Sequence, residues 1–543
     1  MIKEWVETLD WKTSKNYTHF DIKKIFKNSQ EKIDFFENFF GVKNILKYAF
    51  KPFIRYEIKE KKFTKFEDEI PDDNYFYKIP NKSGSVYWHK EKLRPITYAS
   101  HLDSEIYSYY SFMLWKKYEE YLSKSNLLQN ILAYRTVEKD RKNNKIIWKN
   151  NIDFAVDIFQ DILEAEDCIT LAFDISWFFD TLNHNILKKE LINILWGADL
   201  EDDWYKIFKN LTRFSYVDKT DIIDNNLIKK YDARKEFPKI IDIVKFNQLK
   251  SEYKKTQRKL IKTNPKFPEN NPKNPDKKLI WIPQGTPISG MLANLYMLQF
   301  DIELKKYADD FNGKYYRYSD DIFLIIPYSN TDNYLEKIQE ISNFTLNKIS
   351  QKLELKINND KTEISIFSNK KIIKNIIYSK EDQKFNFSKK NIQPIQYLWF
   401  TFDWERVLIR NKTLSNYYKK LVWNIKRLKH LNDSVKNKNW DIIRDNSIKW
   451  DKILLWKYNR KYLFNWKYIW GRYKKEDWKY QIDKNDKPLY LWFLSYWYNA
   501  SNIFETFCEN NHIKNWIKNQ LKWHRKKYNE LLVKHSIKKR QLK

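Results

Sequence analysis

The segment Arg317-Tyr318-Ser319-Asp320-Asp321-Ile322-Phe323-Leu324-Ile325 places two adjacent carboxylates directly ahead of an apolar run. Neighbouring side chains on a strand point to opposite faces. A strand–turn–strand hairpin with the pair at its tip would instead offer both to one site. Two carboxylates held close repel each other unless a cation neutralises them. A hard divalent ion, Mg²⁺ first, is the economical partner. An acidic pair is also an ordinary solvated hairpin tip, so the reading depends on what else the chain carries and in what order.

Upstream, Leu171-Ala172-Phe173-Asp174-Ile175-Ser176-Trp177-Phe178-Phe179-Asp180-Thr181-Leu182-Asn183-His184 reads as an apolar strand ending at Asp174, a turn, then a helix start near Asn183. Between this and the acidic pair, Ile282-Pro283-Gln284-Gly285-Thr286-Pro287-Ile288-Ser289-Gly290 is a Pro/Gly turn leading into a helix through Tyr296 and Phe300. After the pair come Leu353-Glu354-Leu355-Lys356-Ile357 with Lys361-Thr362, then Tyr397-Leu398-Trp399-Phe400-Thr401-Phe402-Asp403-Trp404.

This ordered set resembles the palm of reverse transcriptases. The Asp174 segment is similar to the family's motif A, Pro-Gln-Gly to motif B, Tyr-Ser-Asp-Asp to motif C, and Leu-x-Leu with Lys-Thr to motif D. Residues 397–404 resemble the hairpin where palm meets thumb. Lys92-Leu93-Arg94-Pro95-Ile96 and Ala133-Tyr134-Arg135 resemble parts of the fingers. The resemblance covers roughly residues 90–420. It implies an α+β fold, with right-hand polymerase fingers and palm followed by an all-helical C-terminal domain. The expected divisions are an N-terminal extension over 1–90, fingers and palm over 91–411 with an insertion near 200–280, and a thumb-like or repeat domain over 412–543.

The same resemblance implies two-metal nucleotidyl transfer. Two Mg²⁺ ions, or Mn²⁺ in their place, would lie about 4 Å apart. Asp174 and Asp320 would hold both ions and Asp321 one of them, with the Ile175 carbonyl as a further ligand. Lys361 would serve as a general acid at the leaving phosphate, although a solvated loop lysine would look the same. Arg94 would clamp triphosphate oxygens through its planar fork, and Lys92 is the weaker candidate for that work. Phe179 would stack beneath the incoming sugar and exclude a 2′-hydroxyl; a core Phe is the plain alternative, and Phe178 next to it competes for one of the two faces. Gln284 and Gly285 would line the templating side, the glycine allowing close backbone approach. Asp180 and Asn183 read as helix caps, and His184 as a capping or packed histidine. The implied partners are deoxynucleoside triphosphates with RNA or single-stranded DNA.

Composition agrees, with a discount. The chain carries 101 Lys+Arg against 70 Asp+Glu, a formal charge of +31, which suits a polyanionic partner. Its richness in Lys, Asn, Ile, Tyr and Phe also fits an AT-rich genome, which halves the weight of the charge. The clusters Lys522-Trp523-His524-Arg525-Lys526-Lys527 and Lys538-Lys539-Arg540 say more than the total, although solvated surface explains them as well. Cys168 and Cys508 form no disulfide framework or zinc spacing, as expected in a reducing cytoplasm. The first residues lack a signal-peptide core, and no apolar stretch approaches the roughly 20 residues of a membrane span. Residues 264–275 read as an exposed Pro/Asn loop. Leu414, Tyr418, Leu421, Ile425 and Leu428 recur at helical spacing.

Within the family, Arg94 to His101, Tyr397 to Asp403, Ile409-Arg410 and Tyr417-Tyr418 resemble the abortive-infection and defence-associated enzymes of bacteria. That group implies synthesis without a template, priming from a protein hydroxyl, and assembly into homo-oligomers in some members. Retron- and intron-type enzymes share the palm motifs, and a non-catalytic nucleic-acid-binding palm is the reading from another class. The long, aromatic and basic C-terminal region is expected to pack against the palm and to guide single-stranded nucleic acid.

One anomaly crosses all of these readings. The chain has 7 Gly and 22 Trp, where an average chain of this length carries roughly 40 Gly. Trp399 and Trp404 stand where related enzymes usually have glycine, and Trp177 falls in a tight turn. Glycine takes φ > 0 without strain and tryptophan does not. Some tryptophans are therefore expected to be UGA codons that encode glycine in the source organism; real aromatic enrichment is the alternative.

Overall fold

The computed structural model describes the chain except residues 10–17, 25, 41, 66–76, 81–85, 143–144, 229–239, 257, 265–278, 329–332, 359–360, 380–383, 388–391, 420–421, 423–472, 477–478, 483–492 and 535–543. Its centre is a six-stranded antiparallel sheet. In spatial order the strands are Lys384–Phe387, Lys371–Ser379, Glu363–Ser368, Cys168–Asp174, Asp321–Pro327 and Lys314–Tyr318.

The period-2 alternation of these strands builds two cores. Ile169, Leu171 and Phe173 join Ile322, Leu324, Ile326, Ile364 and Ile366 on one face. Helices His101–Lys124, Ser289–Tyr296, Leu298–Asp310 and Tyr334–Leu353 contribute to the core on that face. Cys168, Phe323, Ile325 and Phe367 point to the other face, under the helix Asn151–Ala165. That helix starts cleanly because Asn150 and Asp153 form a reciprocal capping box. Each large side chain so buried contributes about 1.5–3 kcal/mol, enough in sum to fix the register that positions the acidic residues.

The fingers rest on two long strands, Phe53–Lys65 and Val86–Tyr98, paired antiparallel with Ile54 opposite Tyr98. The expected insertion near 200–280 is partly integral to them. Its strand Ser215–Asp218 runs parallel to Phe53–Arg55 in the same sheet, and helix Asp202–Thr212 buries Trp204, Ile207 and Leu211 in the main core. The Pro/Asn loop itself falls outside the described residues from 265 onward. At the N-terminus, helices Ile2–Thr8 and Ser29–Phe39 bury Trp5, Val6, Ile33 and Phe36 against Phe112 of the long helix.

The C-terminal helices Phe493–Asn510 and Ile517–Lys534 pack on the palm. Phe159 stacks on Phe402 and Trp497 meets Phe400 edge-on. The expectation of an all-helical region needs correcting. Lys514–Asn515 adds a short parallel strand to Arg406–Ile409, and Tyr473–Glu476 pairs with Lys479–Ile482. Residues 411–419 are helical, whereas the periodic positions Leu421, Ile425 and Leu428 lie outside the described residues, as does the basic tail from Lys538. Among the described residues, no helix is long and apolar enough to cross a membrane.

Among the described residues, four tryptophans take a left-handed backbone: Trp177 (φ 54°), Trp196 (φ 61°), Trp281 (φ 84°) and Trp404 (φ 75°). Trp177 and Trp196 are also 62% and 66% exposed, so burial does not repay the strain. Trp399 is different. It lies in a turn where the positive φ (51°) belongs to its neighbour Leu398.

Candidate active site

The site forms where two strands end side by side. Asp321, the first residue of its strand, stands directly opposite Asp174, the last residue of its own. Asp320 occupies the turn between Tyr318 and Asp321, with Ser319 at φ 61° closing it. The Ile175 amide donates to the Asp320 carbonyl at 3.1 Å, which locks the turn onto the end of the Asp174 strand. A hairpin tip thus brings Asp174, Asp320 and Asp321 together from positions far apart in sequence.

A third segment closes the group. Ser176 donates to the Lys356 carbonyl and Asn358 to the Asp174 carbonyl, both at 2.8 Å. This short pairing delivers Lys361, whose ammonium is ion-paired with the Asp174 carboxylate.

Two of the three carboxyl groups are held above the usual carboxylate range. Burial pushes Asp320 up, helped by the charge of Asp174. Asp321 is exposed at the first position of its strand, yet partial desolvation by the surrounding protein, with the charges of Asp320 and Asp174, pushes it up to about 7, against the pull of Lys361 and Arg410. Three carboxylates with Lys361 paired to one of them and Arg410 nearby leave a net negative, oxygen-only donor set, the kind a hard divalent cation such as Mg²⁺ takes.

A sign follows for pH. The folded chain binds a proton at Asp321 up to about 7, whereas an unfolded aspartate releases it near about 4. Between those values the folded state holds more protons, so metal-free stability falls as pH rises through that window. A cation that replaces the proton removes the penalty. The Mg²⁺-induced rise in melting temperature is therefore expected to be larger at pH 8 than at pH 6. Scanning calorimetry at both pH values measures it; equal shifts would mean that Asp321 does not take part.

The acidic turn rests on a buried ion pair. Arg317 and Asp301 are both fully buried and joined by two hydrogen bonds of 2.7 Å. Arg317 also donates to Asn294 at 3.0 Å and to the Ser319 carbonyl at 3.1 Å. Asn294 in turn donates to the Ala133 carbonyl at 2.8 Å. Removing one member would leave an uncompensated charge in the core, at about 3–5 kcal/mol. The network holds the turn because Ser319, between Tyr318 and Asp320, is one of its acceptors.

The two phenylalanines separate. Phe178 is buried in the core, and Phe179 stays partly exposed, facing Tyr134 edge-on at 6.3 Å. Gln284 is tied to the fingers, its carbonyl accepting from the Thr97 amide at 2.9 Å. Gly285 has φ 122°, and a Cβ there would lie 2.5 Å from the Thr97 carbonyl oxygen. Its close approach is thus to the fingers strand, where a base or sugar was expected. Arg94 is exposed on that same strand, which also carries Lys92. Asn183 caps its helix, accepting from Asn185 at 2.8 Å, and His184 is a packed histidine bonded to the Trp281 carbonyl at 3.0 Å.

Sequence reasoning missed two residues at the site. Tyr134 bridges Phe179 and the acidic turn, its hydroxyl 3.0 Å from Ser319 Oγ, with its ring laid on Gly290. Arg410 lies close enough to Asp321 and Glu363 to favour their ionised forms. Both residues had been noticed only as parts of longer resemblances, and nothing local to either marks it.

The fold and this acidic site define a palm polymerase. The profile of the reverse transcriptase (RNA-dependent DNA polymerase) family matches residues 79–402. The chain belongs to that family. No curated protein matches it. Among solved structures it is similar to apo telomerase from Candida tropicalis, with 13% identity and a TM-score of 0.31 over 63% of this chain and 49% of that one. It is also similar to telomerase from Candida albicans in complex with the TWJ fragment of telomeric RNA, with 12% identity and a TM-score of 0.32 over 85% and 61% of the two chains. The chain spans about half the length of the first of these.

Proposed function

We propose that this chain is a DNA polymerase that adds deoxynucleotides by two-metal nucleotidyl transfer. The observation that carries the reading is the facing pair Asp174 and Asp321, with Asp320 in the adjoining turn. These three carboxylates and the Ile175 carbonyl would hold two Mg²⁺ ions. Bound there, the ions would favour the ionised attacking hydroxyl and stabilise the leaving pyrophosphate. The chain's own groups do the rest. Arg94, with Lys92 beside it, grips triphosphate oxygens. Gln284 and Gly285 shape the templating side from the fingers. Lys361, already beside Asp174, gives a proton to the leaving phosphate.

Phe179 is the proposed sugar gate, because it is the ring of the pair that stays partly exposed. Phe179→Val should raise ribonucleotide incorporation about tenfold or more relative to deoxynucleotide, since a clash of one hydroxyl is worth a few kcal/mol at most. Competitive single-nucleotide incorporation measures the ratio. An unchanged ratio would assign the gate elsewhere.

The helical C-terminal region is proposed to guide RNA or single-stranded DNA product, and its packing on the palm beside the site supports this. The resemblance to defence-associated enzymes supports an antiphage role, with untemplated or protein-primed synthesis and homo-oligomers. Nucleotide incorporation assayed with and without an added template and primer tests the whole reading. Template-independent product favours the defence type, template-dependent product a retron- or intron-type enzyme, and no incorporation under any condition a non-catalytic palm.

A further inference from the structure

We propose that His19, Asp21 and His101 form a second cation site, for Zn²⁺ or a similar transition metal, at the base of the fingers. One ligand atom from each of the three lies within 4.8 Å of the others. The two imidazole rings are 3.7 Å apart between centroids and tilted by 34°. His19 Nδ1 and His101 Nε2 are both buried and have no hydrogen-bond partner. His19 itself is 6% exposed. Buried ring nitrogens without partners are costly, and a pair of them at one point calls for a shared ligand.

The chemistry of the donors selects the ligand. Two imidazole nitrogens and a carboxylate suit Zn²⁺, whereas Mg²⁺ prefers oxygen alone. The groups around the pair are also oriented. His19 hydrogen-bonds the Ala99 backbone, the kind of outer contact that fixes a ligating ring. Asp21 accepts from the His101 and Leu102 amides at 2.8 and 3.0 Å. Lys51 Nζ, 3.6 Å from Asp21, and the helix N-terminus at His101 oppose a cation. Three protein ligands under that opposition make a weaker site than a closed four-ligand one, with water completing the shell.

Its position gives it a task. The His19 carbonyl accepts from Ile241 at 3.0 Å, and the Thr18 carbonyl accepts from the Tyr98 hydroxyl at 2.9 Å. A cation here would pin the N-terminal segment, already bonded to the fingers strand and to Ile241, to the start of the helix His101–Lys124. Tyr98 adjoins Thr97, which holds Gln284, so the same tie would steady the templating side.

Zn²⁺ titration of chelator-stripped protein, with excess Mg²⁺ present to fill the carboxylate site, tests this. The wild type should bind a single equivalent and melt at a higher temperature. Co²⁺ in its place should give the visible bands of a nitrogen-ligated site. His101→Asn and Asp21→Asn, checked for folding by circular dichroism, should weaken binding at least about tenfold, the loss of one ligand being worth more than 1.4 kcal/mol. No uptake and no Co²⁺ bands in the wild type would overturn the site even if the variants failed to fold. Equal uptake by folded variants would overturn it too.

A separate observation carries a second inference. The left-handed backbones at Trp177, Trp196, Trp281 and Trp404 fall on the residue type in excess, in a chain with 7 Gly. Trp196 also ends the helix His184–Leu195 in the position usually held by glycine. We infer that Trp177, Trp196 and Trp404 are UGA codons that the source organism reads as glycine; Trp281, 5% exposed and packed edge-on against Phe214, is left out of the assignment. Trp5 and Trp204, 1% and 6% exposed and packed edge-on against Phe36 and Tyr110, should be UGG. The gene sequence and mass spectrometry of peptides from natively made protein test this. UGG at Trp177, Trp196 and Trp404 would end the idea, and so would tryptophan found at residue 177 in the native protein.

Discussion

Asp320→Asn is expected to abolish nucleotide incorporation without unfolding the chain. The change keeps the side-chain volume and removes one charge from a site where three carboxylates meet. If Asp320 belongs to the proposed ligand set, the lost charge forfeits several kcal/mol of transition-state stabilisation, and each 1.36 kcal/mol is tenfold, so a loss of at least about 10³-fold is expected. Asp174→Asn should do the same, with a further consequence, since it also releases Lys361 from its ion pair. Stability should move the other way. Asp320 is held above its ordinary range by burial and by the Asp174 charge, so neutralising it relieves the metal-free protein at high pH. Incorporation of labelled deoxynucleotide, beside a thermal melt of each variant without metal, separates the two effects. Full incorporation by either folded variant would remove the assignment of the site.

The second large effect is expected from glycine at Trp177, Trp196 and Trp404. A left-handed residue with a Cβ costs about 1–2 kcal/mol, and glycine returns part of that as chain entropy. Trp177 and Trp196 are mostly exposed and lose little packing. Trp404 gives up a ring contact with Phe367 at 5.8 Å. A net gain of about 1 kcal/mol for each exposed position is expected, with less at Trp404. Trp281 is the useful contrast. It is buried and meets Phe214 edge-on at 5.5 Å, so a glycine there exchanges strain for a cavity. Denaturant midpoints of the single variants measure the series. A fall at both Trp177 and Trp196 would show that the ring earns its place and that the backbone is not strained.

Much of the palm could be read from the chain because its signals are local. Apolar runs of strand length lead into and out of acidic residues, and a Pro/Gly turn opens a helix. Each is a short-range pattern with its own physical cause. The capping role of Asn183 was readable for the same reason. The pairing of the 200–280 segment with the fingers was not readable because a strand of four residues, Ser215–Asp218, has no periodicity to show. Its partnership with Phe53–Arg55 joins segments far apart in sequence. The departure from an all-helical C-terminal region has a similar cause, since Lys514–Asn515 is a strand only because Arg406–Val407 lies beside it.

By itself the sequence determined the family, the three carboxylates and the tryptophan anomaly, because each rests on residue type and order along the chain. Tertiary structure decided which side chains meet. It set Asp321 opposite Asp174, put Lys361 on Asp174, and sent Phe178 inward and Phe179 outward. It turned Gly285 toward Thr97 and gathered Tyr134, Arg410 and the buried Arg317–Asp301 pair around the acidic turn. It also brought His19 and His101 face to face. These contacts follow from sheet register and helix packing, which the whole core fixes at once and no single stretch of sequence contains.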